Sequence, residues 1–144
     1  MIINVLQYLE NSAKRMPEKT ALRDEQHSIV YQRLLELSQS IGTRLAALGA
    51  HNRAIAVFID RNIESIVMFL GVVYSGNFYV PIDVSMPKQR MELMLQSLKP
   101  AACIGMGRAS SFCPANIPFL SYEDLVQTDL DLQLLSEILS LIHI

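Results

Sequence analysis

The middle of the chain, from residue 54 to residue 105, alternates between short apolar runs and amphipathic helical stretches. The apolar runs occupy 54–59 (AIAVFI), 78–82 (FYVPI) and 101–105 (AACIG), and helical patterns occupy 63–74 and 87–98. Strands that are joined through single helices run parallel, and these crossovers are right-handed. The pattern therefore predicts an α/β fold, a three-layer α/β/α arrangement around a mainly parallel sheet.

Boundary signals define the individual elements. Pro17 ends a first helix, residues 20–23 and 28–31 suggest a hairpin, and Gly49 ends a second helix over 34–48. Asn62 is expected to cap the next helix, and Gly76 is expected to end it. We expect residues 78–82 to form a buried strand. In the first helix, the residues predicted to face inward are Val5, Leu6, Leu9 and Ala13. In the helix over 63–74, they are Ile63, Ile66, Val67, Leu70 and Tyr74.

The last part of the chain has a different pattern. Asp129 is predicted to cap a helix with an apolar face, formed by Leu132, Leu135, Leu139 and Ile142. Such a helix needs something to cover it, and its apolar stripe continues to the last residue. The sequence thus suggests a chain that is cut short.

Composition argues against several classes of protein. The formal net charge of −2 gives no reason to expect binding to nucleic acid or to an anionic membrane. Two cysteines, Cys103 and Cys113, are too few for a disulfide framework or a thiolate metal site. We expect His27, His51 and His143 to be surface residues rather than metal ligands. A cytoplasmic, reducing location is the expectation.

The nearest approach to a catalytic or binding motif is Gly105-Met106-Gly107-Arg108-Ala109-Ser110, which approximates the dinucleotide fingerprint G-x-G-x-x-G. That fingerprint needs a helix to open at the glycines, and the following SSFCP disfavours one, so a surface loop is expected. Asp60 and Asp83 each follow a predicted strand, where open α/β sheets bind ligands and where acidic residues also cap turns. We expect Asp83 to cap its turn. Arg61 and Arg90 are expected to be solvated rather than bound to phosphate.

A more specific signal comes from residues 70–95, around SGNFYVPIDVSMPKQRM. This stretch resembles a characteristic segment of adenylate-forming ligases, above all the amino-acid adenylation domains of nonribosomal peptide synthetases and the D-alanine–carrier-protein ligases. Their pattern is approximately L-G-x-x-K-A-G-x-x-Y-V/I-P-I/V/L-D-x-x-x-P-x-x-R. The matching residues are Leu70, Gly71, Gly76, Tyr79, Val80, Pro81, Ile82, Asp83, Pro87 and Arg90. Tyr74 and Ser75 stand where these enzymes usually carry Lys-Ala.

The resemblance extends over most of the chain. Residues 17–22 (PEKTAL), 30–34 (VYQRL) and 56–71 (AVFIDRNIESIVMFLG) are similar to further family segments, in the same order. The resemblance implies that residues 1–127 form the N-terminal part of an AMP-binding adenylation domain. Residues 128–144 are then a truncated helical tail, whose last residues do not resemble the family.

The resemblance also implies a function for the complete enzyme. Such an enzyme activates a carboxylic or amino acid with ATP and Mg²⁺, and then passes the acyl group to a phosphopantetheine thiol on a carrier protein or to coenzyme A. The family's phosphate-binding loop, T-S-G-S/T-S/T-G-x-P-K-G, and its catalytic lysine are absent from the sequence. We therefore carry over no catalytic, cofactor-binding or metal-binding residue. The remainder of the adenylation domain is the expected partner, and the chain alone is expected to be inactive.

Two other readings remain open from the residues themselves. The chain could be a small self-contained nucleotide-binding or regulatory α/β domain that uses the sheet edge near Asp60 and Asp83. It could also be an interaction module without catalytic activity. Neither alternative has a specific motif of its own.

Overall fold

The computed structural model describes residues 5–141, which form six α-helices, six strands and one short 3₁₀ helix. The first half contains α1 (Val5–Arg15), β1 (Thr20–Arg23), β2 (Ser28–Val30), α2 (Tyr31–Ala46), β3 (Ala54–Ile59) and α3 (Ile63–Tyr74). The second half contains β4 (Phe78–Asp83), α4 (Lys88–Leu98), β5 (Ala102–Gly105), the 3₁₀ helix (Gly107–Phe112), β6 (Phe119–Ser121), α5 (Tyr122–Leu125) and α6 (Leu132–Leu141).

The main sheet has four strands in the order β4-β3-β5-β6, and every neighbouring pair is parallel. β1 and β2 form a separate antiparallel hairpin. The predicted α/β fold with a parallel sheet is confirmed. β3 is central and carries the continuous apolar run AIAVFI, as expected for a strand that is covered on both faces.

The core lies on both faces of this sheet. Successive side chains of a strand point to opposite faces, and β3 shows this directly. Ile55 and Val57 join one buried cluster, which is packed against α1, α2 and α3. Ala56 and Phe58 join the other cluster, together with Met91 of α4. Two packed faces around one sheet give the predicted three layers.

Local signals explain most of the helix boundaries. The side chain of Asn62 accepts a hydrogen bond from the backbone N–H of Ser65 at 3.1 Å, so Asn62 caps α3 as predicted. Gly76 follows that helix with φ +81°, a conformation that favours glycine. Gly49 has φ +77° just beyond α2, which also agrees with its predicted role as a helix stop.

Helices α2 and α3 approach each other closely at Gly42 and Gly71. A Cβ built on Gly71 would lie 2.5 Å from the Cβ of Ile41, and one built on Gly42 would lie 2.5 Å from the Cβ of Tyr74. Carbon atoms in contact normally lie about 3.5–4.0 Å apart. The two glycines therefore permit a separation of the two helices that alanine would not allow.

Strand β4 corrects one expectation. It lies at the edge of the main sheet rather than inside it, and Phe78 and Tyr79 are 48% and 41% exposed. Only Ile82 among its side chains is fully buried. An edge position also accommodates Pro81, which has no N–H to donate to a further strand.

The predictions that Val5 and Ile66 face inward were also wrong, because both side chains are more than a third exposed.

The tail helix α6 begins differently from the prediction. Asp131, not Asp129, caps it, because the Asp131 Oδ1 accepts the N–H of Leu134 at 3.0 Å. Leu135 and Ile138 are its buried residues, whereas Leu132 is exposed. Ile142 lies outside the described residues. The Asp131 N–H donates to the Thr43 hydroxyl at 3.2 Å, so the start of α6 is attached to α2.

The helices were also compared with the length and apolar character that crossing a bilayer requires. Between residues 5 and 141, no helix has both.

Candidate functional site

The C-terminal edge of the main sheet contains the position where an open α/β fold most often binds a ligand. From β3 the chain crosses to β4 on one side, and from β5 it continues to β6 on the other side. Connections that leave neighbouring strands in opposite directions open a crevice between them. Here that crevice lies between the ends of β3 and β5.

A cavity of about 230 Å³ occupies this crevice. Phe58, Val84, Met106 and Phe112 supply apolar walls, and the Phe58 and Phe112 rings lie 5.9 Å apart between centroids. Its polar lining comes from Asp60, Asn62, Ser65 and Arg108. The volume is below the range of about 300–1,000 Å³ that is usual for small-molecule sites.

Asp60 forms its hydrogen bonds with residues close to it in the chain. Its Oδ1 accepts the N–H of Arg61 at 2.8 Å, and its backbone N–H donates to the Ser65 hydroxyl at 3.2 Å. Its Oδ2 lies 3.7 Å from Nη2 of Arg108, with the two side chains 52% and 68% exposed. An exposed ion pair of this kind contributes little to stability. It does, however, partly neutralise Arg108 as a phosphate ligand.

Asp83 has the turn role that the sequence suggested. Its Oδ1 accepts the backbone N–H of Ser85 at 2.9 Å and the Ser85 hydroxyl at 2.8 Å. The Ser85 N–H, and after it the Ser85 hydroxyl, lowers the pKa of the Asp83 carboxyl below its usual value. Arg61 lies beside Asp83 at the same edge, and Arg90 is exposed on α4. The structure thus brings Asp60, Arg61 and Asp83 to one edge without forming a catalytic arrangement.

The glycine motif at 105–107 does not form a phosphate-binding turn. A 3₁₀ helix, rather than the expected irregular loop, follows β5 and ends at Phe112. The N–H of Gly107 donates to the Glu123 carboxylate, at 2.9 Å to Oε1 and 3.3 Å to Oε2. A carboxylate therefore occupies the position that a pyrophosphate would need.

A second cavity of about 230 Å³ adjoins the first and has an acidic rim. Asp24, Glu25, Asp60 and Glu64 line it, against the two cations Arg61 and Arg108. An excess of carboxylates repels a polyphosphate. The lining of this edge therefore gives no support to the self-contained nucleotide-binding alternative.

The structure reveals one polar cluster that the sequence did not indicate. His27 was expected to be an ordinary surface residue, yet its ring lies between two carboxylates. Its Nδ1 lies 3.4 Å from Oδ1 of Asp24, and its Nε2 lies 3.2 Å from Oε1 of Glu64. The sequence holds no signal for this contact because Glu64 is 37 residues away along the chain, in α3. His51 is exposed, and His143 lies outside the described residues.

Asp24, His27 and Glu64 also have suitable geometry for a metal ion, since one ligand atom from each lies within 4.8 Å of the others. Both carboxylate oxygens of Asp24 are engaged in hydrogen bonds, whereas the buried Oε2 of Glu64 has no hydrogen-bond partner among the described residues. Asp24 accepts the backbone N–H groups of Gln26, His27 and Ile63. Of these contacts, the His27 N–H contributes most to lowering the pKa of the Asp24 carboxyl. Through Asp24 the cluster connects the hairpin to the start of α3.

Tyr74 is a buried structural residue of α3. Its hydroxyl donates to Oε2 of Glu10 at 2.7 Å and so links α3 to α1. Burial, and secondarily Glu10, raises the pKa of the Tyr74 hydroxyl well above its ordinary value.

Cys103 and Cys113 are free thiols, and burial is the main reason that both pKa values are raised. Neither cysteine is an activated nucleophile.

Comparison with protein families and known sequences places this fold in context. Residues 9–139 match the model of the family described as AMP-binding enzyme. The chain is 38% identical to Surfactin synthase subunit 1 of Bacillus subtilis over 89 residues, which are 61% of the chain. It is 32% identical to Bacitracin synthase 1 of Bacillus licheniformis over 117 residues, which are 79% of the chain. It spans about 2% of the length of each of these proteins.

Solved structures give the same fold. The nonribosomal peptide synthetase FmoA3 in its AMPPNP-bound form has a TM-score of 0.79 at 21% identity, over 85% of this chain and 14% of that one. The N-terminal subdomain of Klebsiella oxytoca NpsA, in complex with 3-hydroxybenzoyl-AMSN, has a TM-score of 0.73 at 20% identity, over 88% of this chain and 32% of that one. At these identities the likeness establishes the fold alone.

Proposed function

The chain belongs to the AMP-binding enzyme family, and we propose that it is the N-terminal portion of an ATP-dependent ligase. The complete enzyme would adenylate a carboxylic or amino acid and transfer it to a phosphopantetheine or coenzyme A thiol. Adenylation activates the acid for transfer to the thiol, because AMP is a far better leaving group than hydroxide. The observation that carries this proposal is the family match over residues 9–139, which is nearly the whole described chain.

Within that enzyme, we assign this portion a scaffolding role. The residues that match the family pattern have structural functions here: Gly71 permits close helix packing, Gly76 ends α3, and Asp83 caps a turn. The sheet edge is acidic, and the Gly107 N–H is already bonded to Glu123. We therefore propose that this chain supplies no catalytic, cofactor-binding or metal-binding residue. ATP and Mg²⁺ would be bound by other parts of the enzyme.

The same proposal names the partners. The remainder of the adenylation domain would pack against this portion, and a carrier protein or coenzyme A would receive the acyl group. One structural neighbour is an artificially fused adenylation–PCP di-domain from Klebsiella oxytoca, which supports the carrier protein as acceptor. Two free cysteines agree with a cytoplasmic location, which we also propose.

The test is ATP–pyrophosphate exchange by the purified 144-residue chain. Circular dichroism would first establish that the chain is folded, and a complete adenylation domain assayed in parallel would show that the exchange conditions work. We expect no exchange above the blank with any of a panel of amino and carboxylic acids. We also expect no saturable ATP binding in equilibrium dialysis at concentrations where the complete domain binds. Robust exchange by this chain would refute the scaffolding role.

A further inference from the structure

A groove of about 590 Å³ runs along α4, on the face of the sheet opposite α1, α2 and α3. One wall is the exposed side of α4, and the other is the segment 111–117 that follows the 3₁₀ helix. Its volume lies within the usual range for binding clefts, which is about 300–1,000 Å³. It is separate from the crevice at the end of β3 and β5, and no step of the proposed ligase function requires it.

The residues on the α4 wall share one helical face. Lys88, Glu92, Leu95 and Lys99 follow one another at intervals of four, three and four residues. At a rise of 1.5 Å per residue, the eleven steps from Lys88 to Lys99 correspond to roughly 16 Å along the helix. The groove is therefore long and has a lysine at each end.

Positive charge dominates the lining of this groove. Arg53, Lys88 and Lys99 face one carboxylate, Glu92, although the whole chain has a formal charge of −2. Within residues 5–141, no ion pair shorter than 4.0 Å involves any of these four side chains. Their charges are thus available to a partner.

Arg53 is held at the Lys99 end of the groove. Its guanidinium donates to the carbonyl oxygen of Lys99 at 3.1 Å. Lys99 closes α4 in the left-handed conformation, with φ 49°, and its N–H donates to the carbonyl of Leu95. Two cations therefore meet at one end, Lys88 stands at the other, and Glu92 lies between them.

We propose that this groove binds an acidic segment of a partner polypeptide in an extended conformation. An extended chain advances about 3.3 Å per residue, and side chains four residues apart lie on the same face, roughly 13 Å from each other. Two carboxylates at this spacing would each reach a cation, because the long lysine and arginine side chains cover the remaining distance, and Glu92 would repel a carboxylate placed between them. The middle of the segment would instead carry an apolar side chain, which can pack against the partly exposed Phe112. A single small anion could contact only one end.

The test uses short peptides with blocked termini and a neutral fluorescent label, and measures fluorescence anisotropy. The probe Glu-Ala-Leu-Ala-Glu has its carboxylates at both ends, on one face of an extended chain, and the control Ala-Glu-Leu-Glu-Ala has the same composition with both carboxylates next to the central leucine. We expect saturable binding of the probe, at least about fivefold weaker binding of the control, and weaker probe binding as salt is raised.

Two charge-reversing variants locate the binding site. Lys88→Glu should weaken probe binding about tenfold, because it replaces one attraction with a repulsion. This variant should fold well, since an acidic residue in the first turn of a helix is favourable. Lys19→Glu is the matched control: it makes the same change in net charge, next to the hairpin that packs on the opposite face. It should change binding less than twofold.

Three results would overturn the proposal. The first is no saturable binding of the probe up to millimolar concentration with folded protein. The second is equal weakening by Lys88→Glu and Lys19→Glu, which would indicate attraction to overall charge. The third is equal binding of the two peptides together with their displacement by inorganic pyrophosphate, which would indicate a general anion surface.

Discussion

Replacing Gly71 by alanine tests the close contact between α2 and α3. The new Cβ would lie 2.5 Å from the Cβ of Ile41 and 3.2 Å from the carbonyl oxygen of Ser38. Carbon–carbon contacts are normally about 3.5–4.0 Å, so the helices would have to separate by about 1 Å. Ile41 is fully buried, and its Cβ is fixed to the α2 backbone, so rotation of its side chain cannot relieve the clash.

Two opposing effects set the magnitude. Alanine is favoured over glycine inside a helix by about 1 kcal/mol, which would stabilise the variant. Overpacking a well-filled interior typically costs about 1–3 kcal/mol, and a clash with an atom attached directly to the backbone belongs at or above the upper end. We therefore expect a net loss of about 2 kcal/mol in the free energy of unfolding. For a domain of this size, that corresponds to a Tm lower by about 4–8 °C.

The assay is urea unfolding followed by far-ultraviolet circular dichroism, with the slope of the transition checked for constancy. Ser97→Ala, at an exposed position in α4, is the control for helix propensity and should stabilise the chain by a few tenths of a kcal/mol. Gly42→Ala should destabilise in the same way as Gly71→Ala. If Gly71→Ala is as stable as the unmodified chain or more stable, the close helix contact is wrong.

Three further predictions concern single hydrogen-bonding groups. Tyr74→Phe removes the 2.7 Å bond to Glu10 and should lower the free energy of unfolding by about 1–2 kcal/mol in thermal or urea unfolding; an unchanged value would mean that the bond contributes nothing. Asn62→Ala removes the cap of α3 and should cost about 1 kcal/mol in urea unfolding, whereas Asn62→Ser should keep most of it. The lowered pKa of Asp24 stabilises the fold fully above the unfolded carboxyl value of about 3.9, and this contribution is lost as the pH falls through the lower folded value. The urea midpoint of Asp24→Asn should therefore depend less on pH, between about 2 and 5, than that of the unmodified chain.

Local signals in the sequence were sufficient for the order and type of the main elements. The apolar run at 54–59, the cap at Asn62 and the stop at Gly76 depend on neighbouring residues, and each was predicted correctly. The burial of β4 could not be predicted in the same way. Whether a strand is central or at an edge depends on the order of strands across the sheet, which short apolar runs do not encode.

The candidate site shows the same limit. Asp83 was correctly expected to cap its turn because its partner, Ser85, is two residues away. The contacts of His27 with Glu64 and of Gly107 with Glu123 join separate elements, so no local pattern indicated them. Asp131 rather than Asp129 caps α6, and its N–H bonds to Thr43 of α2, a contact between distant residues that no local pattern indicated.

The scaffolding role is tested most directly by transplanting this segment into a longer relative. Bacitracin synthase 1 of Bacillus licheniformis aligns with 79% of the chain, over 117 residues at 32% identity. In the isolated AMP-binding domain that contains it, the aligned segment would be replaced by the corresponding residues of this chain, and acid-dependent ATP–pyrophosphate exchange would be compared with that of the unmodified domain. We predict that the chimera keeps exchange activity with the same acid as the unmodified domain. A chimera that is folded by circular dichroism but inactive, or that exchanges with a different acid, would contradict the claim that this segment supports the site without forming it.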